Sequence, residues 1–133
     1  MEILINQFLN KNNIFAVIGV SRDTAKYGNQ VFNYLLESGY TVYPINPREE
    51  NISGIKCYPS LAELPIKPDL VDIVVPPKIA LEIIKQCVKL GLNNIWFQPG
   101  SESDEAIKLC QANNLNFVSG VCVMAEHKAQ IAK

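Results

Sequence analysis

Residues 14–28, which read IFAVIGVSRDTAKYG, decide the fold of this chain. They begin as an apolar run of strand length, too short for a typical helix. The run breaks at Gly19 into a polar loop, and an apolar pattern at helical spacing follows, with Val31 and Leu35 on one face. A strand, a glycine-containing loop and a helix in this order are typical of an α/β sheet that binds phosphate, because free N–H groups and the helix dipole point at the anion. An ordinary βα turn without a ligand is the simpler alternative.

The loop differs from the dinucleotide-binding fingerprint. The pattern G-x-G-x-x-G requires glycines at positions 21 and 24, where this chain has Ser21 and Thr24. The next glycine is Gly28, so the loop is longer, and it carries basic side chains. The sequence therefore predicts an anion-binding loop that differs from the dinucleotide-binding type.

Composition limits the class of protein. The chain has 133 residues, of which 48% are hydrophobic, and a formal net charge of −1. These values predict a single domain over 1–133, with an N-terminal helix at 1–11 and a tail at 121–133, and they argue against disorder. The absence of a basic excess argues against nucleic acid as a partner. The apolar runs are too short to span a membrane and nothing resembles a signal peptide, so we expect a cytoplasmic protein.

The order of apolar patterns predicts the architecture. Helices are expected over about 1–10, 28–37, 77–90 and 101–113, with a short helix after Cys122. Strands are expected over 15–20, 41–45, 70–75, 94–98 and 117–120, with a small strand at 55–58 whose orientation stays open. Pro44 cannot donate to a ladder, so the second strand is expected to be short or near an edge of the sheet there. This alternation predicts a three-layer α/β sandwich with a mainly parallel sheet of about five to six strands.

Helix ends and faces are also predicted. Residues 60–63, SLAE, form a capping-box pattern that starts a short helix, and Ser101 is expected to cap the helix that follows it. The helix at 77–90 should end at Gly91 and bury one apolar stripe, which consists of Ile79, Ile83, Cys87 and Leu90.

Unusual residues follow each regular strand, where parallel sheets bind their ligands. The candidate binding residues are Gly19, Val20, Ser21, Arg22, Lys26 and Gly28 at the end of the first strand, Asn46, Pro47 and Arg48 at the end of the second, Val75, Pro76 and Pro77 at the end of the third, and Gln98 and Gly100 at the end of the fourth. The only two arginines of the chain, Arg22 and Arg48, belong to this set. Because the guanidinium fork suits phosphate oxygens, the cluster predicts an anionic ligand. Solvated loop residues are the alternative.

The end of the second strand narrows the choice of ligand. NAD requires an acidic residue there for the ribose hydroxyls, but the chain has Asn46 and Arg48. This favours a ligand with an additional ribose phosphate, either NADP or coenzyme A. The long first loop favours coenzyme A, and so do the prolines at 76, 77 and 99, which offer rigid apolar walls for an adenine or a pantetheine arm.

Four segments together resemble the stand-alone CoA-binding domain proteins, which are related to the N-terminal domain of the succinyl-CoA synthetase α-subunit. They are IGVS at 18–21, YLLESGYTVYPINP at 34–47, VDIVVPP at 71–77 and IWFQPG at 95–100. The resemblance implies a Rossmann-like fold that binds CoA through Gly19, Ser21, Lys26, Pro47, Arg48, Val75, Pro76 and Gln98. The chain departs from the family in a first loop without a proline-rich stretch and in Gly120-Val121-Cys122, where the family usually has Asp-Arg-Cys.

No catalytic or metal-binding constellation stands out. The single histidine, His127, is expected to be exposed to solvent rather than catalytic, and Asp69 and Asp72 are expected to serve turns or caps. Among the cysteines, Cys87 and Cys110 are interpreted as core thiols. Cys122 lies near the predicted ligand edge, and either it is structural or it forms a mixed disulfide with the CoA thiol.

Three functions are consistent with these observations. The first is non-catalytic binding of CoA or an acyl-CoA, as a carrier or sensor. The second is an NADP-type nucleotide-binding sensor or redox domain, and the third is an interaction scaffold with a vestigial pocket. The choice between free CoA and acyl-CoA, the oligomeric state and any protein partner stay open.

Overall fold

Five parallel strands and five helices form the body of the structure, a computed structural model that describes residues 1–133. The strands are β1 (Ile14–Ile18), β2 (Thr41–Ile45), β3 (Asn51–Ile52), β4 (Ile55–Lys56), β5 (Leu70–Ile73), β6 (Asn94–Phe97) and β7 (Asn116–Val118). The helices are α1 (Glu2–Phe8), α2 (Tyr27–Glu37), α3 (Pro77–Leu90), α4 (Asp104–Ala112) and α5 (Val123–Ile131). None of the helices has the length and apolar character needed to cross a membrane.

The main sheet has the strand order β2-β1-β5-β6-β7, and every pairing in it is parallel. This confirms the predicted α/β class and the parallel sheet. The edge position of β2 is also confirmed: Pro44 pairs with Val17 on one side, and its carbonyl accepts a hydrogen bond from Tyr58 on the other. The proline is tolerated because only an isolated bridge to Tyr58, and no complete strand, lies on that side of β2.

Helices cover both faces of the sheet, so the strands are buried on both sides. One core lies under α1, α2 and α5 and contains Phe15, Leu70 and Trp96. The other lies under α3 and α4 and contains Ile18 and Phe97. Neighbouring residues of a strand point to opposite faces, which is why the central strands are mostly apolar at successive positions instead of alternating, with Asp72 in β5 as an exception.

The segment between β2 and β5 folds differently from the expectation of one small strand. β3 and β4 form an antiparallel hairpin, and a 3₁₀ turn follows at Leu61–Glu63. The capping box is not formed there. The Ser60 hydroxyl donates to the Glu63 carboxylate over 3.4 Å, and no side-chain hydrogen bond caps the turn.

Two predictions about helices are wrong, namely the capping residue of α4 and the buried face of α3. α4 is capped by Ser103, whose hydroxyl accepts a hydrogen bond from the Ala106 N–H at 3.1 Å, and not by Ser101. In α3 the buried stripe is rotated by one residue: Ala80, Ile83, Ile84 and Cys87 are buried, while Ile79 and Leu90 are exposed. Gly91 ends α3, as predicted, and it has the left-handed conformation.

Candidate functional site

The strand order reverses beside β1, which creates the crevice where sheets of this type bind ligands. The chain runs from β1 to β2 on one side, whereas β5, β6 and β7 lie on the other. Gly19 follows β1 with φ +95°, and a Cβ there would lie 2.4 Å from the Val74 carbonyl oxygen. A Cβ on Gly28 would lie 2.2 Å from the Gly19 carbonyl oxygen. The two glycines therefore let the first loop, α2 and the end of β5 come into backbone contact.

The first cleft, about 450 Å³ in volume, opens between the β1–α2 loop, the β5–α3 turn and the β6–α4 turn. Its walls are Gly19, Ser21, Lys26, Tyr27, Gly28, Val74, Val75, Pro76, Pro77, Pro99, Gly100 and Ser101. The first turn of α2 borders it, and the N–H groups of a first helical turn have no partner within the helix. Together with the Lys26 ammonium, they make this wall electropositive.

Short polar contacts hold the first loop in place. The Asp23 carboxylate accepts from the Ala25 N–H at 2.9 Å, and the Asn29 amide donates to the Ser21 carbonyl at 2.8 Å. Glu49 accepts from the Arg22 backbone N–H at 2.8 Å and ties the loop to the segment after β2. The loop is therefore arranged before any ligand arrives, which lowers the ordering cost of binding.

The second cleft, about 520 Å³, lies on the other side of Gly19 and Val75, which line both clefts. Its other lining residues are Ile18, Ile45, Asn46, Pro47, Arg48, Pro59, Ser60, Leu61, Ile79, Ile83 and Gln86. The Asn46 side chain shapes the rim, because its amide donates to the Val20 carbonyl and its oxygen accepts from the Arg48 N–H. This turn places the Arg48 backbone at the edge of a largely apolar hollow.

The structure brings most of the predicted binding residues to these two clefts, but it keeps three of them away. Val20 is buried in the core beneath the loop. Arg22 is 75% exposed, and its Nε lies 3.2 Å from Glu49, so its guanidinium pairs with an acid of the protein. Gln98 is fully buried because both polar atoms of its side chain are bound inside the protein.

Several lining residues lie outside the predicted set, and two of them have a clear physical explanation. Tyr27 opens α2, and a tyrosine in that position gives no sequence signal for a ligand. The sequence pattern places Ile79 in the buried stripe of α3, but it is 52% exposed and lines the second cleft. The signal that could have shown this is its position: an apolar side chain in the first turn of a helix that starts at the ligand edge can line the cleft instead of entering the core.

A buried polar cluster lies behind the first cleft. The Gln98 amide donates to the Tyr27 hydroxyl at 2.6 Å and to the Cys122 sulfur at 3.2 Å, and its oxygen accepts from the Val123 N–H at 3.0 Å. The Tyr27 hydroxyl in turn donates to the Cys122 sulfur at 2.9 Å. Asp72 belongs to the same region, but both of its carboxylate oxygens are buried without a hydrogen bond.

Asp72 and Cys122 have pKa values shifted in opposite directions. Burial raises the pKa of the Asp72 carboxyl well above its usual range, and the nearby Cys122 charge adds to the effect. For Cys122, burial alone opposes ionisation, but hydrogen bonds from Tyr27, Gln98 and the first N–H groups of α5 outweigh it and lower the pKa of the thiol. The turn or cap role expected for Asp72 is therefore wrong, because it lies inside β5 and accepts no hydrogen bond.

His127 is buried, contrary to the expected exposure. Only 4% of its surface is accessible, and its Nδ1 lies 2.8 Å from the Tyr34 hydroxyl. Tyr34 follows Tyr27 by seven residues in α2, which corresponds to about 10 Å along the helix. The imidazole therefore packs away from the first cleft, and the helical spacing explains why.

A family model described as a CoA binding domain matches residues 13–128. The chain belongs to the CoA-binding domain family. The match includes both clefts and the buried polar cluster.

Relatives of this CoA-binding domain include much longer enzymes. The α subunit of ADP-forming acetate–CoA ligase II from Pyrococcus furiosus is 41% identical over 93 residues, which cover 69% of this chain and 20% of that protein. ADP-forming acetate–CoA ligase II from Archaeoglobus fulgidus is 35% identical over 95 residues, which cover 70% of this chain and 14% of that protein. The chain thus spans a fifth or less of these two relatives.

Solved structures include chains of similar size. A conserved hypothetical protein from Pyrococcus furiosus is 40% identical, with a TM-score of 0.83 over 86% of this chain and 98% of that one. A hypothetical protein from Pyrococcus horikoshii OT3 is 37% identical, with a TM-score of 0.92 over 98% of this chain and 92% of that one. The CoA-binding domain fold thus extends over nearly the whole length of both proteins.

Proposed function

We propose that this chain binds coenzyme A, free or acylated, without turning it over, and serves as a carrier or sensor of the cofactor. The observation that carries the proposal is the pair of clefts that share Gly19 and Val75 as a common wall. Coenzyme A combines a phosphorylated nucleotide with a long, mostly apolar arm. Two joined hollows with one electropositive wall suit such a ligand better than a single compact pocket does.

The chemistry of the walls supports this assignment. The first turn of α2 and Lys26 offer N–H groups and a positive charge to a diphosphate. Arg48, at the rim of the second cleft, offers a second cationic group for a ribose phosphate. The prolines of the first cleft and Ile79 of the second supply apolar surface for the arm and the base.

The two arginines provide a matched pair of variants. Arg48→Ala should weaken CoA binding about tenfold or more, because a charged hydrogen bond is worth about 1.5–3 kcal/mol. Arg22→Ala should have little effect, since the Arg22 guanidinium already pairs with Glu49. Calorimetric titrations with CoA and with dephospho-CoA measure both effects. Equal losses in the two variants would contradict the role given to Arg48.

Binding without turnover is part of the proposal and is supported by the position of the single histidine. His127 is buried against Tyr34 and cannot reach a ligand in either cleft without rearrangement of α5. Incubation with acetyl-CoA followed by chromatography tests the absence of turnover, which release of free CoA would contradict.

A cytoplasmic location also belongs to the proposal, because all four cysteines are free thiols, as is usual in a reducing compartment.

A further inference from the structure

The buried polar cluster behind the first cleft has no part in the binding just proposed. Tyr27 lines the cleft, and its hydroxyl lies 2.9 Å from the Cys122 sulfur. A single residue, Tyr27, therefore connects the wall of the cleft to that sulfur. Cys122 is itself partly exposed, unlike the other three cysteines, which are buried.

The surroundings of Cys122 stabilise a thiolate. Tyr27 and Gln98 donate hydrogen bonds to the sulfur at 2.9 and 3.2 Å. Cys122 is also the N-cap residue of α5, and the positive end of a helix dipole favours a negative charge there. A thiolate held by donors at a helix N-terminus is the reactive form of cysteine.

The buried carboxyl of Asp72 supports a reactive Cys122 independently of the hydrogen bonds to the sulfur. Its register in β5 places it between Val17 of β1 and Trp96 of β6, on the sheet face covered by α2 and α5. It is completely buried, and neither oxygen has a hydrogen-bond partner. It lies close enough to Cys122 and Tyr27 for electrostatic interactions among the three groups to affect their pKa values. A buried orphan carboxyl is costly, and its place beside the sulfur fits an acid that keeps the proton while the thiol gives it up.

We propose that Cys122 is a site of reversible thiol–disulfide exchange with disulfides of coenzyme A, which links the sulfur end of the ligand to the protein behind the first cleft. This inference rests on the proposed CoA binding, because the clefts supply the specificity. It goes beyond that binding by assigning a covalent state to the protein.

The exchange balances without an additional oxidant. The Cys122 thiolate attacks the CoA sulfur of a disulfide CoA–S–S–R, and its electron pair forms the new Cys122–S–S–CoA bond. The old S–S bond breaks, its electron pair leaves with the R sulfur, and that thiolate takes a proton from water. In the reverse direction an incoming thiol releases Cys122 as a thiolate, which its hydrogen-bond donors make a good leaving group.

The test exposes the reduced full-length protein to CoA disulfide and, separately, to glutathione disulfide at the same concentration. Intact-mass measurement and peptide mapping follow the adduct over time. We expect one CoA on Cys122, formed about tenfold faster than the glutathione adduct, because docking raises the local concentration of the CoA disulfide. Cys122→Ser should abolish the adduct, and Cys57→Ser, which removes a buried thiol, should leave its rate unchanged.

Tyr27→Phe separates a positioning role from a structural one. Phenylalanine keeps the aromatic ring and removes the donor to the sulfur. The pH at which exchange reaches half its maximal rate should therefore rise, with a loss of about fivefold or more near neutral pH and little loss at high pH. An unchanged pH profile would contradict the role given to the Tyr27 hydroxyl.

Calorimetry with reduced CoA on the Cys122→Ser variant keeps the two proposals apart. If reduced CoA binds but CoA disulfide leaves no adduct, or reacts no faster than glutathione disulfide, the exchange proposal is overturned and CoA binding stands. If neither binding nor an adduct is seen, the proposed function fails as well.

Discussion

Replacing Asp72 by asparagine should change how the stability of the protein depends on pH. The carboxyl is completely buried and its two oxygens have no partner, so the folded state retains its proton well above the usual carboxyl range. The unfolded chain, in contrast, loses that proton near pH 3.8. Between these two pKa values the folded state holds one proton more than the unfolded state.

The magnitude follows from proton linkage. One additional proton in the folded state lowers the free energy of unfolding by about 1.4 kcal/mol for each unit of rising pH. This contribution to stability is complete below pH 3.8 and is lost as the pH rises towards the folded pKa. Asp72→Asn has no carboxyl to titrate, so its stability relative to the wild type should increase with pH above 3.8, by about 1.4 kcal/mol for each pH unit over which the folded state keeps the proton.

Urea unfolding, followed by circular dichroism at half-unit steps of pH, measures this difference. Glu105→Gln, which removes an exposed carboxylate of α4, controls for the loss of any acid. Comparison of each variant with the wild type cancels the titration of other groups. A difference between Asp72→Asn and the wild type that stays constant from pH 5 to pH 7 would refute a buried, protonated Asp72.

Three further outcomes test other parts of the structure. Gly19→Ala should lower the free energy of unfolding by more than about 3 kcal/mol or prevent folding, because its Cβ would meet the Val74 carbonyl. Gly54→Ala, with positive φ but open space around the Cβ, should lower it by about 1 kcal/mol. Chemical denaturation measures both. Burial lowers the pKa of His127, so wild-type stability should fall as the pH drops below 6.5, and pH-dependent melting should show a smaller fall in His127→Gln. Arg48→Glu should abolish CoA binding while circular dichroism stays unchanged, and retained affinity would place the ligand elsewhere.

The sequence was sufficient for the fold because its signals are local. The apolar run at 14–18, the β-branched run that contains β5, and the prolines and glycines between elements each specify a strand, a helix start or a turn without tertiary information. Local signals did not specify which face of α3 is buried. Ile79 and Ala80 both fit an amphipathic stripe, and only the hollow beside Ile79 shows which of them faces the core.

The site was predictable as an edge of the sheet but not in its individual contacts. Gln98 follows β6, where a ligand contact is expected, yet its side chain turns inward because Tyr27, Cys122 and Val123 satisfy it there. The sequence shows Asp72 only as an acid in an apolar strand. Which helix covers it, and which groups face it, depends on how α2 and α5 pack, and no local pattern encodes that.

The titration of the purified protein with coenzyme A, with NADP in parallel, is the most direct test of the central claim. The protein must first be stripped of bound nucleotide. The account predicts saturable binding of one CoA per chain and little response to NADP at the same concentrations. No heat of binding with CoA, or equal affinity for both ligands, would contradict it and leave the two clefts without the ligand that we assign to them.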